Sequence, residues 1–137
     1  MRTTRLVPLL GALALAIPVM WLGEPVTAQP AKPGYLPFAE FSPRDTQTHI
    51  DLKKAYNDTV EKYNQVLYDY YATLEQHDRL VDVYSGSTDP AERQRAKDEA
   101  APLRAKLTTL RAEAATAFTT VDRAARRAAA AGVSLKP

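Results

Sequence analysis

Residues 49–84 read HIDLKKAYNDTVEKYNQVLYDYYATLEQHDRLVDVY, and every seventh position is tyrosine or histidine: His49, Tyr56, Tyr63, Tyr70, His77, Tyr84. Four residues after each of these, from Tyr56 on, stand Val60, Leu67, Leu74 and Val81. Apolar positions that alternate by four and three mark a helix lying along another helix, and a lone surface helix rarely keeps that spacing over such a length. The stretch therefore predicts a partner before it predicts any chemistry.

The same chain supplies a matching seam. Ala96, Ala100, Leu103, Leu107, Leu110, Ala114, Ala117, Val121, Ala124 and Ala128 again alternate by four and three. Folding the chain at Gly86 sets Tyr56 near Ala117, Val60 near Ala114, Leu67 near Leu107, Leu74 near Ala100 and His49 near Ala124. Large residues then face small ones, so the helices approach closely and the phenol rings lie over alanines. Charge agrees with this pairing: residues 45–84 hold eight Asp/Glu against four Lys/Arg, and residues 89–131 hold six against nine. Opposite signs on two exposed faces favour one another weakly.

Local signals set the boundaries. Ser42-Pro43-Arg44-Asp45 offers a capping serine, a proline for the first helical position and an acid three residues after the cap, which predicts a helix over 43–85. Gly86, within Ser85-Gly86-Ser87-Thr88, is the expected stop. Asp89-Pro90-Ala91-Glu92 repeats the cap, proline and acid and predicts a second helix over 90–131, closed by Gly132. Pro102 falls inside it, so a local kink or a lost hydrogen bond near Asp98 is expected. The fold class expected is all-α: a long antiparallel two-helix hairpin, coiled-coil-like, over 42–132, with a short tail at 133–137. About 40 residues at ~1.5 Å each make each helix roughly 60 Å long.

Ahead of the hairpin come two further segments. Residues 29–41, QPAKPGYLPFAEF, are proline-rich and predict an extended arm in which Tyr35, Phe38 and Phe41 recur every three residues along one face. Residues 1–28 predict an N-terminal hydrophobic helix. Arg2 and Arg5 precede the uncharged run 6–23, and Val26 and Ala28 stand as in a signal-peptidase site before Gln29. That run of 18 residues also approaches the ~20 of a membrane span, with Trp21 at an interfacial position. The two readings are a cleaved secretory signal and a retained anchor with its N-terminus in the cytoplasm. Either one places the remainder of the chain outside the cytoplasm of a bacterial cell, in the periplasm or attached to the inner membrane through residues 6–23.

The chain offers little toward catalysis. It has no cysteine, so disulfides and thiolate metal sites are absent, and its net charge of +2 does not suggest a nucleic-acid surface. His49 and His77 share a face but lie 28 residues apart, roughly 42 Å on a helix, too far to share an ion. The serines are read as caps, turn and tail residues, and the glycines are too scattered for a phosphate loop. The expectation is a protein that is not an enzyme and holds no metal or cofactor.

What remains is contact. Tyr68 and Tyr71 lie beside the seam: one reading is that they are tolerated surface tyrosines, the other that they widen the stripe for a third or fourth helix from a homo-oligomer or a larger assembly. With Tyr35, Phe38 and Phe41 they are the expected partner-binding residues; the alternative for the arm is that its rings tuck against the helical body. Arg123, Arg126 and Arg127 near the end of the second helix complement its dipole, and are candidates for contact with anionic headgroups if the leader is retained. The Asn57-Asp58-Thr59 glycosylation pattern sits inside a helix and is given no weight.

Small periplasmic helical chaperones share a signal, a basic tendency and long helical hairpins, but the β-strand body of the tentacled kind and the LTxxQ motif of the cradle-shaped kind are both missing here, so the sequence does not carry that family's name. The function expected is a non-catalytic extracytoplasmic accessory or scaffold subunit that stabilises a membrane complex, for example an energy-transducing one. The alternative is a soluble periplasmic chaperone or adaptor that binds client polypeptides.

Overall fold

The computed structural model describes residues 34–136. The expected leader, 1–28, and the first part of the expected arm lie outside the described residues. Two long helices make up most of what is described: α1, Gln47–Gly86, and α2, Pro90–Ala130, packed against each other as a helical hairpin. No strand occurs among the described residues.

The two helices run in opposite directions. Near the turn the Arg93 guanidinium lies over the Tyr84 ring, 4.8 Å from its centroid, and far from the turn Tyr63 meets Phe118, with 5.7 Å between centroids. Their shared core follows the two seams. Tyr56, Val60, Tyr63, Leu67 and Tyr70 are buried from α1, and Ala96, Ala100, Leu107, Leu110, Ala114, Val121 and Ala128 from α2. His49, Leu74, His77 and Tyr84 are half-buried, while Val81 is exposed. The seam is thus driest in the half of the hairpin away from the turn.

Phe118 had no place in the seam read from sequence, yet its ring packs against the central core cluster. Helical side chains lean toward the N-terminus of their own helix. Tyr63 and Phe118, on helices of opposite direction, therefore lean toward each other and meet across several residues of nominal offset.

The ends of the helices follow their capping chemistry. Asp89 accepts from the Ala91 N–H at 2.9 Å, and Pro90 stands at the first helical position. At the far end of α2 the Val133 N–H reaches the Ala128 carbonyl at 2.9 Å and the Gly132 N–H reaches that of Ala129 at 3.0 Å. That pair is the Schellman arrangement, and Gly132 adopts the left-handed φ of 73° that it requires. Val133 is buried and Leu135 packs on the core cluster, so the short tail contributes to the base of the hairpin. α2 passes through Pro102 as a single helix.

α2 ends at Ala130, one residue before the expected 131, and both ends of α1 differ from expectation. α1 begins at Gln47, capped by the Thr46 hydroxyl at 3.3 Å from the His49 N–H, and not at Pro43. The cap-like tetrad Ser42 to Asp45 instead closes on itself: the Asp45 N–H donates to the Ser42 carbonyl at 3.0 Å, and the Asp45 carboxylate accepts from the Ser42 N–H at 2.7 Å. A tetrad with those residues is satisfied as an isolated turn as readily as at a helix start. Gly86, expected just past the end of α1, is its last residue and has no left-handed φ. The chain leaves α1 through extended Ser87, whose hydroxyl accepts from the Asp89 N–H at 3.1 Å and bonds Glu92.

Candidate functional site: an asparagine-clamped arm

A second heptad line lies one residue past the tyrosine seam: Asn57 follows Tyr56, Asn64 follows Tyr63 and Tyr71 follows Tyr70. It is the receptor for the arm. Asn64 accepts from the Leu36 N–H and donates to the Leu36 carbonyl, both at 2.9 Å. Seven residues earlier, Asn57 accepts from the Ala39 N–H at 2.7 Å and donates to the Ala39 carbonyl at 3.0 Å. Each carboxamide, with one acceptor and one donor edge, reads both main-chain groups of a single residue.

The spacing fixes the shape of the arm. Seven helical residues rise about 10.5 Å. Three arm residues cover that distance, so the arm advances at about 3.5 Å per residue, near the limit of an extended chain. It runs opposite to α1, and the Ser42–Asp45 turn then reverses the chain into the helix.

Lys53 completes the clamp. Only 5% of it is exposed, and its ammonium donates to the Glu40 carbonyl and to Asp45 Oδ2, each at 2.8 Å. The bond from Lys53 and the bond from the Ser42 N–H hold the Asp45 carboxyl below the usual carboxylate range. His49 Nδ1 lies 3.9 Å from the other Asp45 oxygen. A buried ammonium with two well-placed oxygens is a satisfied group, and losing either partner would leave a charge in a dry place.

The arm consequently has an inner and an outer face. Ala39 is 3% exposed and belongs to the core cluster, against which Leu36 packs. Tyr35, Phe38 and Phe41 remain 54%, 50% and 51% exposed on the other side. Tyr35 makes an edge contact with Tyr71 at 6.5 Å between centroids, and Tyr71 makes another with Tyr70 at 5.5 Å. Tyr71 is half-buried, and its hydroxyl pKa is pushed up to about 12 by burial and by the neighbouring phenols Tyr63, Tyr70 and Tyr35. Burial raises Tyr56, Tyr63 and Tyr70 as well.

Of the five aromatic residues expected at a partner interface, Tyr35, Phe38, Phe41 and Tyr68 are exposed, and Tyr71 lies beneath Tyr35. Arg123, Arg126 and Arg127 are exposed near the end of α2, where Arg126 pairs with Asp122 at 2.7 Å. Reading the sequence missed Lys53, Asn57 and Asn64. A signal was there: Tyr-Asn occurs twice at a spacing of seven, beside a segment whose prolines leave it unable to bond to itself. Among the described residues no group of three or more His, Asp or Glu is placed to hold a metal ion, and no helix is long and apolar enough to cross a membrane. No family model matches the chain, and no curated protein or solved structure shows significant similarity to it.

Proposed function

We propose that the protein is a non-catalytic accessory or scaffold subunit, acting outside the cytoplasm, that stabilises a larger membrane complex, for example an energy-transducing one, through its coiled-coil-like hairpin and aromatic arm. One observation carries this reading. Tyr35, Phe38 and Phe41 are held outward on a segment whose main chain is bonded at Leu36, Ala39 and Glu40. Large rings on an already ordered spine lose little freedom when a partner covers them, which is the economical way to build a contact surface. Tyr68, 61% exposed on α1, adds a fourth ring. In this reading the leader anchors the chain, and Arg123, Arg126 and Arg127 are the candidates for contact with anionic headgroups.

Copurification from native membranes tests it. The unsubstituted chain is expected to bring down an integral-membrane partner in fixed stoichiometry, and the triple variant Tyr35→Ala, Phe38→Ala, Phe41→Ala to lose that partner while keeping its helical circular dichroism. Absence of any stoichiometric membrane partner would overturn the subunit reading, and an intact mass beginning at Gln29 would remove the anchor from it.

A further inference from the structure

We infer that the outward rings Tyr35, Phe38 and Phe41 of one copy pack on the outer face of α2 in a second copy, and reciprocally, in a closed two-fold dimer. The inference rests on reading those rings as a contact surface and names what covers them; the membrane complex then receives a dimer.

Rings and helix share a period. The clamped arm advances about 3.5 Å per residue, so rings three residues apart recur every ~10.5 Å along α1. Seven helical residues rise the same ~10.5 Å. A helix laid over the arm and aligned with α1 therefore meets one ring per heptad, always at the same heptad position. Bulky rings approach closely only where that position carries small side chains.

The chain itself contains such a helix. On the side of α2 away from α1, Ala101, Ala105, Thr108, Ala112, Ala115 and Thr119 are all exposed and alternate by four and three. Outward positions of a solvated helix usually hold charges, and this row holds none. Polar pairs within α2 bound it, Gln94 with Asp98 before and Arg126 with Asp122 after. Thr108 and Thr119 fold their hydroxyls onto the Arg104 and Ala115 carbonyls at 3.1 and 3.0 Å, which leaves their methyl groups for contact. Ala105, Ala112 and Thr119 stand seven residues apart, one for each ring. The row also overlaps the arm in level: the arm lies along α1 from Lys53 to Tyr71, and Tyr63 within that stretch meets Phe118 of α2. A two-fold axis along the hairpin keeps levels and brings each arm over the other chain's row.

Charge selects this pairing. Residues 45–84 hold eight Asp/Glu against four Lys/Arg and residues 89–131 hold six against nine, so α2 on a second α2 repels, whereas α2 over the arm and α1 attracts. Exposed Glu40, Asp58 and Glu61 around the rings, and exposed Lys106 and Arg123 around the row, have no ion-pair partner among the described residues.

Area closes the dimer. The three rings are 54%, 50% and 51% exposed. At roughly 200 Å² for a whole aromatic side chain, they offer ~300 Å² per arm, and one arm on one helix buries about 600 Å² in all. Two reciprocal contacts reach about 1,200 Å², the lower end for a specific interface, which a single contact misses.

Sedimentation equilibrium on the full chain in detergent is expected to show a dimer at micromolar concentration. Ala112→Lys, at an exposed helical position, and the triple variant Tyr35→Ala, Phe38→Ala, Phe41→Ala should each weaken it at least tenfold, whereas Ala91→Lys, outside the row, should not. A chain that stays monomeric overturns the inference, and leaves the subunit reading standing if it still brings down a membrane partner. A dimer indifferent to both Ala112→Lys and the triple variant overturns it too, because the leader or another face then carries the association. The chain has no cysteine, so mixing a Phe38→Cys chain with an Ala112→Cys chain gives a readout independent of affinity. Mild oxidation is expected to join the two kinds of chain. Disulfides among Ala112→Cys chains alone, with none between the two kinds, would set α2 against α2 and overturn the arrangement.

Discussion

Asn64 holds Leu36 by both of its main-chain groups, accepting from the amide and donating to the carbonyl at 2.9 Å each, across 28 residues of sequence. Replacing it by alanine strands neither group in a fully dry place, so the cost is expected near 1–2 kcal/mol rather than higher. For a domain of this size that lowers the melting temperature by roughly 4–15 °C. Asn64→Asp should be worse at neutral pH, because a carboxylate oxygen then faces the Leu36 carbonyl, and should recover on acidification, when the carboxyl regains a donor. Thermal melts of the two variants at pH 7 and pH 4 check the sign.

The core seam and the exposed end of α1 should respond differently to truncation. Leu67 is buried at the centre of the hairpin, and Leu67→Ala is expected to cost about 2–5 kcal/mol. Val81 is exposed nearer the turn, and Val81→Ala should cost about 0.5 kcal/mol or less. Urea unfolding measures both, and equal losses would mean that the half near the turn is covered in solution.

The two helix-end glycines should give opposite results. Gly132 sits at φ 73°, where a Cβ meets the following carbonyl, and Gly132→Ala is expected to destabilise by about 1 kcal/mol. Gly86 lies within α1 with open space around its Cβ position, and Gly86→Ala is expected to stabilise by up to about 1 kcal/mol. Paired denaturant curves decide the two signs.

At alkaline pH Tyr71, beside the tyrosine seam, sets the limit. The Tyr71 hydroxyl titrates at about 12 in the folded chain, whereas an unfolded tyrosine ionises near 10. A raised folded value means that stability is fully present below about pH 10 and is lost as pH rises toward 12, since the unfolded chain releases its proton first. Absorbance titration near 295 nm should show late phenolate ionisation, and Tyr71→Phe should reduce it, the remainder coming from the buried phenols Tyr56, Tyr63 and Tyr70. Tyr35→Ala, which takes one neighbouring phenol and some cover away, should move the step down.

The acid limit lies at the other end of the arm. Asp45 is held below the ordinary carboxylate value, chiefly by Lys53 and the Ser42 N–H, so its contribution is present above about pH 4 and is lost as pH falls through its lowered folded value. Protonation removes the partner of a buried ammonium. In Asp45→Asn the acid-induced loss of arm contacts, followed by hydrogen exchange at Ala39, should flatten, and Lys53→Met in that background should restore stability lost by Asp45→Asn alone.

Periodicity made the helices legible because a helix buries a stripe, and a stripe repeats in sequence. Both seams, the Asp89-Pro90 start and the Gly132 stop could be read in that way. The Ser42–Asp45 tetrad could not, since one set of hydrogen-bonding residues serves a free turn and a helix cap alike, and only the position of Lys53 beside Asp45 separates the two outcomes. The face presented by the arm was equally hidden. A three-residue repeat places Tyr35, Phe38 and Phe41 on one side of an extended chain without saying whether that side turns in or out.

The sequence by itself therefore determined two long helices, their mutual seam and the aromatic spacing of the arm, because each depends on groups close along the chain. Tertiary structure alone decided that Leu36 and Ala39 turn inward and the rings outward. The reason is geometric: three extended residues match the rise of seven helical ones, which aligns the arm's main chain with Asn64 and Asn57. That match exists only once the Ser42–Asp45 turn has laid the arm along α1.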